Sequence, residues 1–175
     1  IGVKRGDRIA LRASNCPEWN MIDFAIQQVG AICIPIYPTI SHADYEHIFK
    51  HSEASIVFIS NKHLYNKVSD IITATPTIKE TYLIKASEDL KSLQELIDLG
   101  NENKDAETLE ARKAEVKNED VATILYTSGT MGTPKGVMLT HRNILSIVEY
   151  LCPLYPINET HNALSYLPLS HIYER

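Results

Sequence analysis

The run Ala31-Ile32-Cys33-Ile34-Pro35-Ile36 is the stretch from which the fold can be read. A strand with one face in water alternates apolar and polar side chains; a near-continuous apolar run closed by Pro35 and Pro38 suits a strand buried on both faces. Burial on both faces is the condition of a parallel sheet covered by helices, and the flanking residues agree. Upstream, Glu18 to Val29 places Trp19, Ile22, Ile26 and Val29 on one helical face, with Pro17 in the first turn and Asn15 three residues before Glu18 as the expected cap. Downstream, Ser41 and Asp44 have capping spacing for a second helix, in which Tyr45, Ile48 and Phe49 share a face.

Further out, Ile9-Ala10-Leu11, Ile56-Val57-Phe58-Ile59 and Tyr82-Leu83-Ile84 read as strands. Lys62 to Thr73 reads as a helix, closed by the Thr75-Pro76 break. The order βαβαβαβ predicts an α/β fold: a mainly parallel sheet with helices on both faces and a ligand site beyond the carboxyl ends of its strands. Residues 102–120 mix charges of both signs with few large apolar side chains. They read as a charged linker or solvated helix between a βα-repeat region, 1–101, and a last region, 121–175.

Composition narrows the function classes. The chain of 175 residues is 44% hydrophobic and 22% charged, which excludes disordered, collagen-like and disulfide-scaffold classes. A net charge of -5 opposes nucleic acid as a partner, so any anionic ligand must be held by local groups. Cys16, Cys33 and Cys152 are widely spaced without a C-x-x-C pair, which suits a reducing, cytoplasmic location and neither disulfides nor zinc. No apolar run approaches the ~20 residues of a membrane helix. The chain begins Ile1-Gly2-Val3 and stops at Glu174-Arg175 with no helix-ending signal, so a piece of a longer protein is expected. His47 and His51 stand four apart with Glu46 and Glu53 nearby, but the pattern lacks the internal Glu of a zincin and a third ligand; an exposed polar helix face is expected there.

After a strand at Val121 to Tyr126 comes Tyr126-Thr127-Ser128-Gly129-Thr130-Met131-Gly132-Thr133-Pro134-Lys135-Gly136. Glycines let successive backbone N–H groups turn inward around an anion, hydroxyls donate to phosphate oxygens and can ligate Mg²⁺, and Lys135 adds a point charge beside the stiffening Pro134. The spacing is neither G-x-x-x-x-G-K-[ST] nor G-x-G-x-x-G. A Gly- and Thr-rich hairpin turn between Val121–Tyr126 and Val137–Leu139 satisfies the same composition, so the residues by themselves leave both readings open.

Thr127 to Gly136 closely resembles the signature phosphate loop of the adenylate-forming superfamily, which includes acyl-CoA synthetases, luciferases and peptide-synthetase adenylation domains. Met131 departs from the pattern, since members usually carry Thr or Ser there. Leu164 to Arg175 is similar to the family's next motif, in which a strand ends at Pro168 and His171 follows near the substrate carboxylate. His171-Ile172-Tyr173-Glu174-Arg175, with Gly2 to Arg8 and Ala31 to Pro38, looks most like the long-chain fatty acyl-CoA synthetase branch.

The resemblance implies a ligase that uses ATP, Mg²⁺ and a fatty acid, with coenzyme A as co-substrate. In that family the carboxylate attacks the α-phosphorus of ATP, pyrophosphate leaves, and the coenzyme A thiol cleaves the acyl-adenylate. It implies nucleotide contacts from Thr127, Ser128, Gly129, Thr130, Met131, Gly132, Thr133, Lys135 and Gly136, with Thr130 on Mg²⁺. Lys135 and His171 become the candidate catalytic residues, His171 orienting the carboxylate or α-phosphate. It also implies that the strand after the loop runs into a helix capped by Thr140, with Ile144, Ile147, Val148 and Leu151 inward. The family's Tyr-Gly-x-Thr-Glu segment, ribose-binding Asp, hinge and C-terminal catalytic Lys would all follow Arg175. The chain is therefore expected to be a partial N-terminal domain, inactive alone and prone to form a homo-oligomer, with peripheral membrane contact left open. The rival readings are an adenylate-forming ligase for a different carboxylate and a non-catalytic nucleotide-binding scaffold.

Overall fold

A computed structural model describes residues 1–37, 39–127, 132–155, 158–162 and 164–175. In chain order its elements are β1 (Arg8–Arg12), α1 (Pro17–Gln28), β2 (Ile32–Pro35), α2 (His42–Ser52), β3 (Ile56–Ile59), α3 (Lys62–Asn66) and α4 (Ser69–Thr73). There follow β4 (Glu80–Leu83), α5 (Leu93–Glu102), α6 (Ala106–Glu115), β5 (Val121–Thr127), β6 (Lys135–Thr140) and α7 (His141–Leu151). The sheet order is β4-β3-β1-β2-β5-β6, parallel throughout except for β6, which runs antiparallel to β5. This is the mainly parallel α/β sheet with helices on both faces that the apolar runs predict.

Side-chain alternation along the strands divides the core in two. Ile9, Leu11, Cys33, Ile56 and Phe58 point to one face and pack with Trp19, Ile22 and Ile26 of α1 and Leu93 of α5. Ala10, Ile34, Val57 and Ile59 point to the other and pack with Tyr45, Ile48 and Phe49 of α2 and Ile71 of α4. The capping box of α2 forms as its spacing predicts: the Ser41 hydroxyl accepts from the Asp44 N–H, and the Asp44 carboxylate accepts from the Ser41 N–H. Ser92 caps α5 in a similar way, accepting from the Glu95 N–H, a signal that the sequence reading passed over.

Four expectations need correction. Asn15 does not cap α1; the N-cap position is Cys16, without a side-chain bond, and Pro17 removes one of the orphan donors that a cap would serve. Lys62 to Thr73 is two short helices, because the chain turns at Lys67 and Val68 and brings Val68 wholly into the core. Leu164 to Pro168 forms no strand among the described residues; a strand needs a hydrogen-bonded neighbour, and this segment bonds to a side chain instead. On α7, Thr140 forms the expected cap with Asn143, but Ile147, Val148 and Leu151 are exposed and Ile144 is only half-buried. No described element covers that face.

One ion pair ties the end of the chain to the core. The Arg175 guanidinium donates to both oxygens of Asp23 on α1, 2.7 Å from Nε to Oδ2, and the two side chains are only 6% and 4% exposed. Its carbon also lies 5.7 Å from the centre of the Trp19 ring. Removing one member of a buried pair strands the other charge without water. Asp23→Leu should therefore cost about 3–5 kcal/mol in urea unfolding. Replacing both members, with Asp23→Leu and Arg175→Met together, should recover most of that loss.

Candidate functional site

The candidate site stands at the carboxyl ends of β2 and β5. The connection leaving β2 returns through α2 to β3, whereas that leaving β5 turns the opposite way into β6. Diverging connections open a crevice beyond the strand ends, the usual place for a ligand in such a sheet. Parallel pairing of Cys33 with Thr123 joins β5 to β2, and the buried Thr123 hydroxyl donates to the Cys33 carbonyl at 2.8 Å.

In the β5–β6 hairpin Thr127 stands opposite Lys135, the described feet of the glycine-rich segment at this end. The feet of the glycine-rich segment thus stand at the strand ends where a ligand is expected, and the hairpin and phosphate-loop readings are compatible there. Thr127, Gly132, Thr133 and Lys135 are exposed, their polar groups accessible to a ligand. Gly132 has φ of +89°, a conformation that strains any L side chain. Gly136 is required for another reason: a Cβ there would meet Cγ2 of Ile124 across the strands at 2.9 Å. Ser128, Gly129, Thr130 and Met131, including the expected Mg²⁺ contact, lie outside the described residues.

His171 reaches the same crevice from the last segment of the chain. With Pro35, Tyr37, Thr127 and Ser170 it lines a small cavity of about 80 Å³ at the ends of β2 and β5. Its Nδ1 accepts from the Tyr173 N–H at 3.2 Å, so among the described residues Nε2 is the nitrogen left to meet a ligand. Asn15 fixes the approach: its amide donates to the Leu167 carbonyl at 2.7 Å, and its Oδ1 accepts from the Leu169 N–H at 2.9 Å. Burial raises the phenols of Tyr37 and Tyr126, so both remain protonated hydroxyls at neutral pH.

Sequence reasoning missed two sets of supporting residues. The buried Arg12 at the end of β1 donates from Nε to the Tyr45 hydroxyl, which donates to the Tyr37 carbonyl at 2.9 Å, steadying the chain after β2. An exposed polar face is the expectation for His47 and His51; His51 is exposed, whereas His47 is half-buried, and both rings contact the β5–β6 hairpin. Only tertiary pairing could reveal either set, because each spans elements far apart in the chain.

A family model described as AMP-binding enzyme matches residues 1–175, and the chain belongs to that family. The chain is 33% identical over its whole length to a protein of Mycobacterium bovis named long-chain-fatty-acid--CoA ligase FadD15, covering 29% of that relative. It is also 33% identical to the Arabidopsis thaliana protein named long chain acyl-CoA synthetase 3, of which it covers 28%. Among solved structures, a long-chain-fatty-acid-CoA ligase (FadD1) from Archaeoglobus fulgidus matches with a TM-score of 0.84 and 30% identity, over 99% of this chain and 33% of that one. The chain thus spans about 30% of the length of these relatives.

The Asn15 bonds give a direct test of how the His171 segment is held. In Asn15→Ala, amide hydrogen exchange at Leu169 should quicken by about tenfold, as loss of one such bond implies, while exchange along β1 stays unchanged.

Proposed function

We propose that this chain is the nucleotide-phosphate part of the N-terminal domain of an AMP-forming acid–thiol ligase, and that the full-length protein activates a long-chain fatty acid to its acyl-adenylate and then to acyl-CoA. The observation that carries this reading is the shared crevice. Thr127 at the foot of the glycine-rich loop and His171 of the second motif line one cavity, with Lys135 opposite Thr127 in register. The names of the relatives support the fatty-acid substrate.

The chemistry suits these residues. A carboxylate attacking the α-phosphorus of ATP needs no enzyme nucleophile; it needs two anions held together and the leaving pyrophosphate stabilised. In this reading the residues Thr127 to Thr133, with Gly136, wrap the β- and γ-phosphates through backbone N–H groups and hydroxyls. Lys135 places a cation beside them in a chain of net charge -5. His171 donates from Nε2 to the carboxylate or to an α-phosphate oxygen. Among the described residues no group of three or more His, Cys, Asp or Glu side chains could hold a metal ion. Mg²⁺, a hard cation that prefers oxygen, fits the Thr130 hydroxyl together with the phosphate oxygens of the nucleotide, where it would offset their charge. No helix among the described residues is long and apolar enough to cross a membrane, and the proposed location is cytoplasmic.

The test is acyl-CoA formation with pyrophosphate release by the full-length protein across carboxylates from acetate to palmitate. Long chains should be preferred, and Lys135→Ala should lower kcat by about a hundredfold, as loss of a charge-stabilising donor does in other enzymes. The 175-residue chain alone should form no product. Preference for acetate or an aryl acid would replace the substrate, and failure to activate any carboxylate would overturn the ligase reading.

A further inference from the structure

The glycine-rich loop has two feet, and both are met by one helix. His47 and His51 lie one turn apart on α2, with ring centres 5.3 Å apart in a stacked pair. His47 Nε2 is 2.9 Å from the carbonyl oxygen of Pro134, immediately before Lys135. A carbonyl can only accept, so this nitrogen carries its hydrogen and donates. His51 Nδ1 shares a hydrogen bond of 2.7 Å with the hydroxyl of Tyr126, immediately before Thr127. The Tyr126 ring stands edge-on to both imidazoles, at 6.3 and 5.7 Å between centres.

We propose that His47 and His51 are positioning residues that clasp the entry and exit of the loop and so set the affinity of the site for the nucleotide phosphates. The inference rests on the reading of that loop as the ATP site. The helix needs neither histidine for its own stability: its box at Ser41 and Asp44 closes the first turn, and Tyr45, Ile48 and Phe49 supply its buried face. Among the described residues neither ring is paired with a charge, and the neighbouring Glu46 and Lys50 bind each other. What the imidazoles do touch is a hairpin whose connection carries the candidate ligand groups. Feet held in place leave Thr127 and Lys135 less freedom to lose when an anion binds, so the clasp acts on binding without meeting the reacting atoms.

The test uses the full-length protein and measures KM for ATP in carboxylate-dependent pyrophosphate exchange, together with KM for the carboxylate and the melting temperature. Removing the donor in His47→Ala should raise KM for ATP by about tenfold, the scale of one lost hydrogen bond, and leave KM for the carboxylate in place. His47→Gln, whose amide nitrogen reaches the position of Nε2, should recover most of that loss. His51→Ala and Tyr126→Phe should each raise KM for ATP, and their combination should do no more than His51→Ala alone, which already removes the bond to the Tyr126 hydroxyl. Hydrogen exchange across residues 132–136 should quicken in His47→Ala and return toward wild type in His47→Gln.

An active wild-type protein whose His47→Ala variant keeps its KM for ATP would overturn the clasp. So would equal impairment in His47→Ala and His47→Gln, or a fall in melting temperature alone. A wild-type protein that exchanges no pyrophosphate would instead overturn the ATP reading and, with it, the role of the clasp in nucleotide binding.

Discussion

The hairpin that carries the glycine-rich loop depends on the pairing of Cys33 with Thr123. An isolated two-stranded hairpin is marginally stable in water, so β5 and β6 need a third strand. That strand is β2, and the junction is reinforced where the buried Thr123 hydroxyl finds the Cys33 carbonyl. Threonine satisfies two demands here: a β-branched side chain fills the space between strands, and its hydroxyl leaves no polar group unpaired. From this junction outward the positions of Tyr126, Thr127 and Lys135 follow. The crevice exists because β2 and β5 are neighbours whose connections diverge.

Charge in this molecule is divided between architecture and site. Arg12, Asp23 and Arg175 are buried and joined to Tyr45 or to each other, where they fix geometry. Ion pairs such as Lys50–Glu46 and Arg142–Glu119 lie in solvent, where such contacts contribute little. Lys135 belongs to neither group: it stands exposed at the foot of the loop, the kind of local cation that an acidic chain needs to attract an anion.

Much of the fold was legible because its determinants are local. The β2 run announces burial on both faces, the Ser41–Asp44 spacing and Thr140 mark two helix starts, and the alternation of runs sets the sheet type. What escaped the reading was set by partners distant in sequence. Asn15 has the spacing of a cap but serves the segment around Leu167 and Leu169, because Pro17 had already reduced what a cap could do. Lys62 to Thr73 reads as one helix by composition, and only the burial of Val68 explains the turn. The apolar stripe of α7 was recognised as a stripe, yet periodicity does not say what covers it. At the candidate site, the motif names Thr127, Gly132, Lys135 and His171 as candidates, but motif spacing says nothing of the Arg12–Tyr45–Tyr37 chain or of the two histidines on α2. Those residues act by supporting others, and support is a property of three-dimensional neighbours.

The bonds from Asn15 and Asp23 to the last segment cross more than 150 positions of sequence, at separations of 152 and 154. Contacts so far apart close large loops and form late. On a ribosome, β1 and α1 emerge well before the segment that bears His171 and can pack with β2 and β3 while that segment has yet to be made. The docking surface therefore waits on the strand-and-helix unit, and this wall of the crevice forms only when Leu167 to Arg175 arrives. A chain interrupted before that point would retain the sheet's central strands and lack one wall of the site.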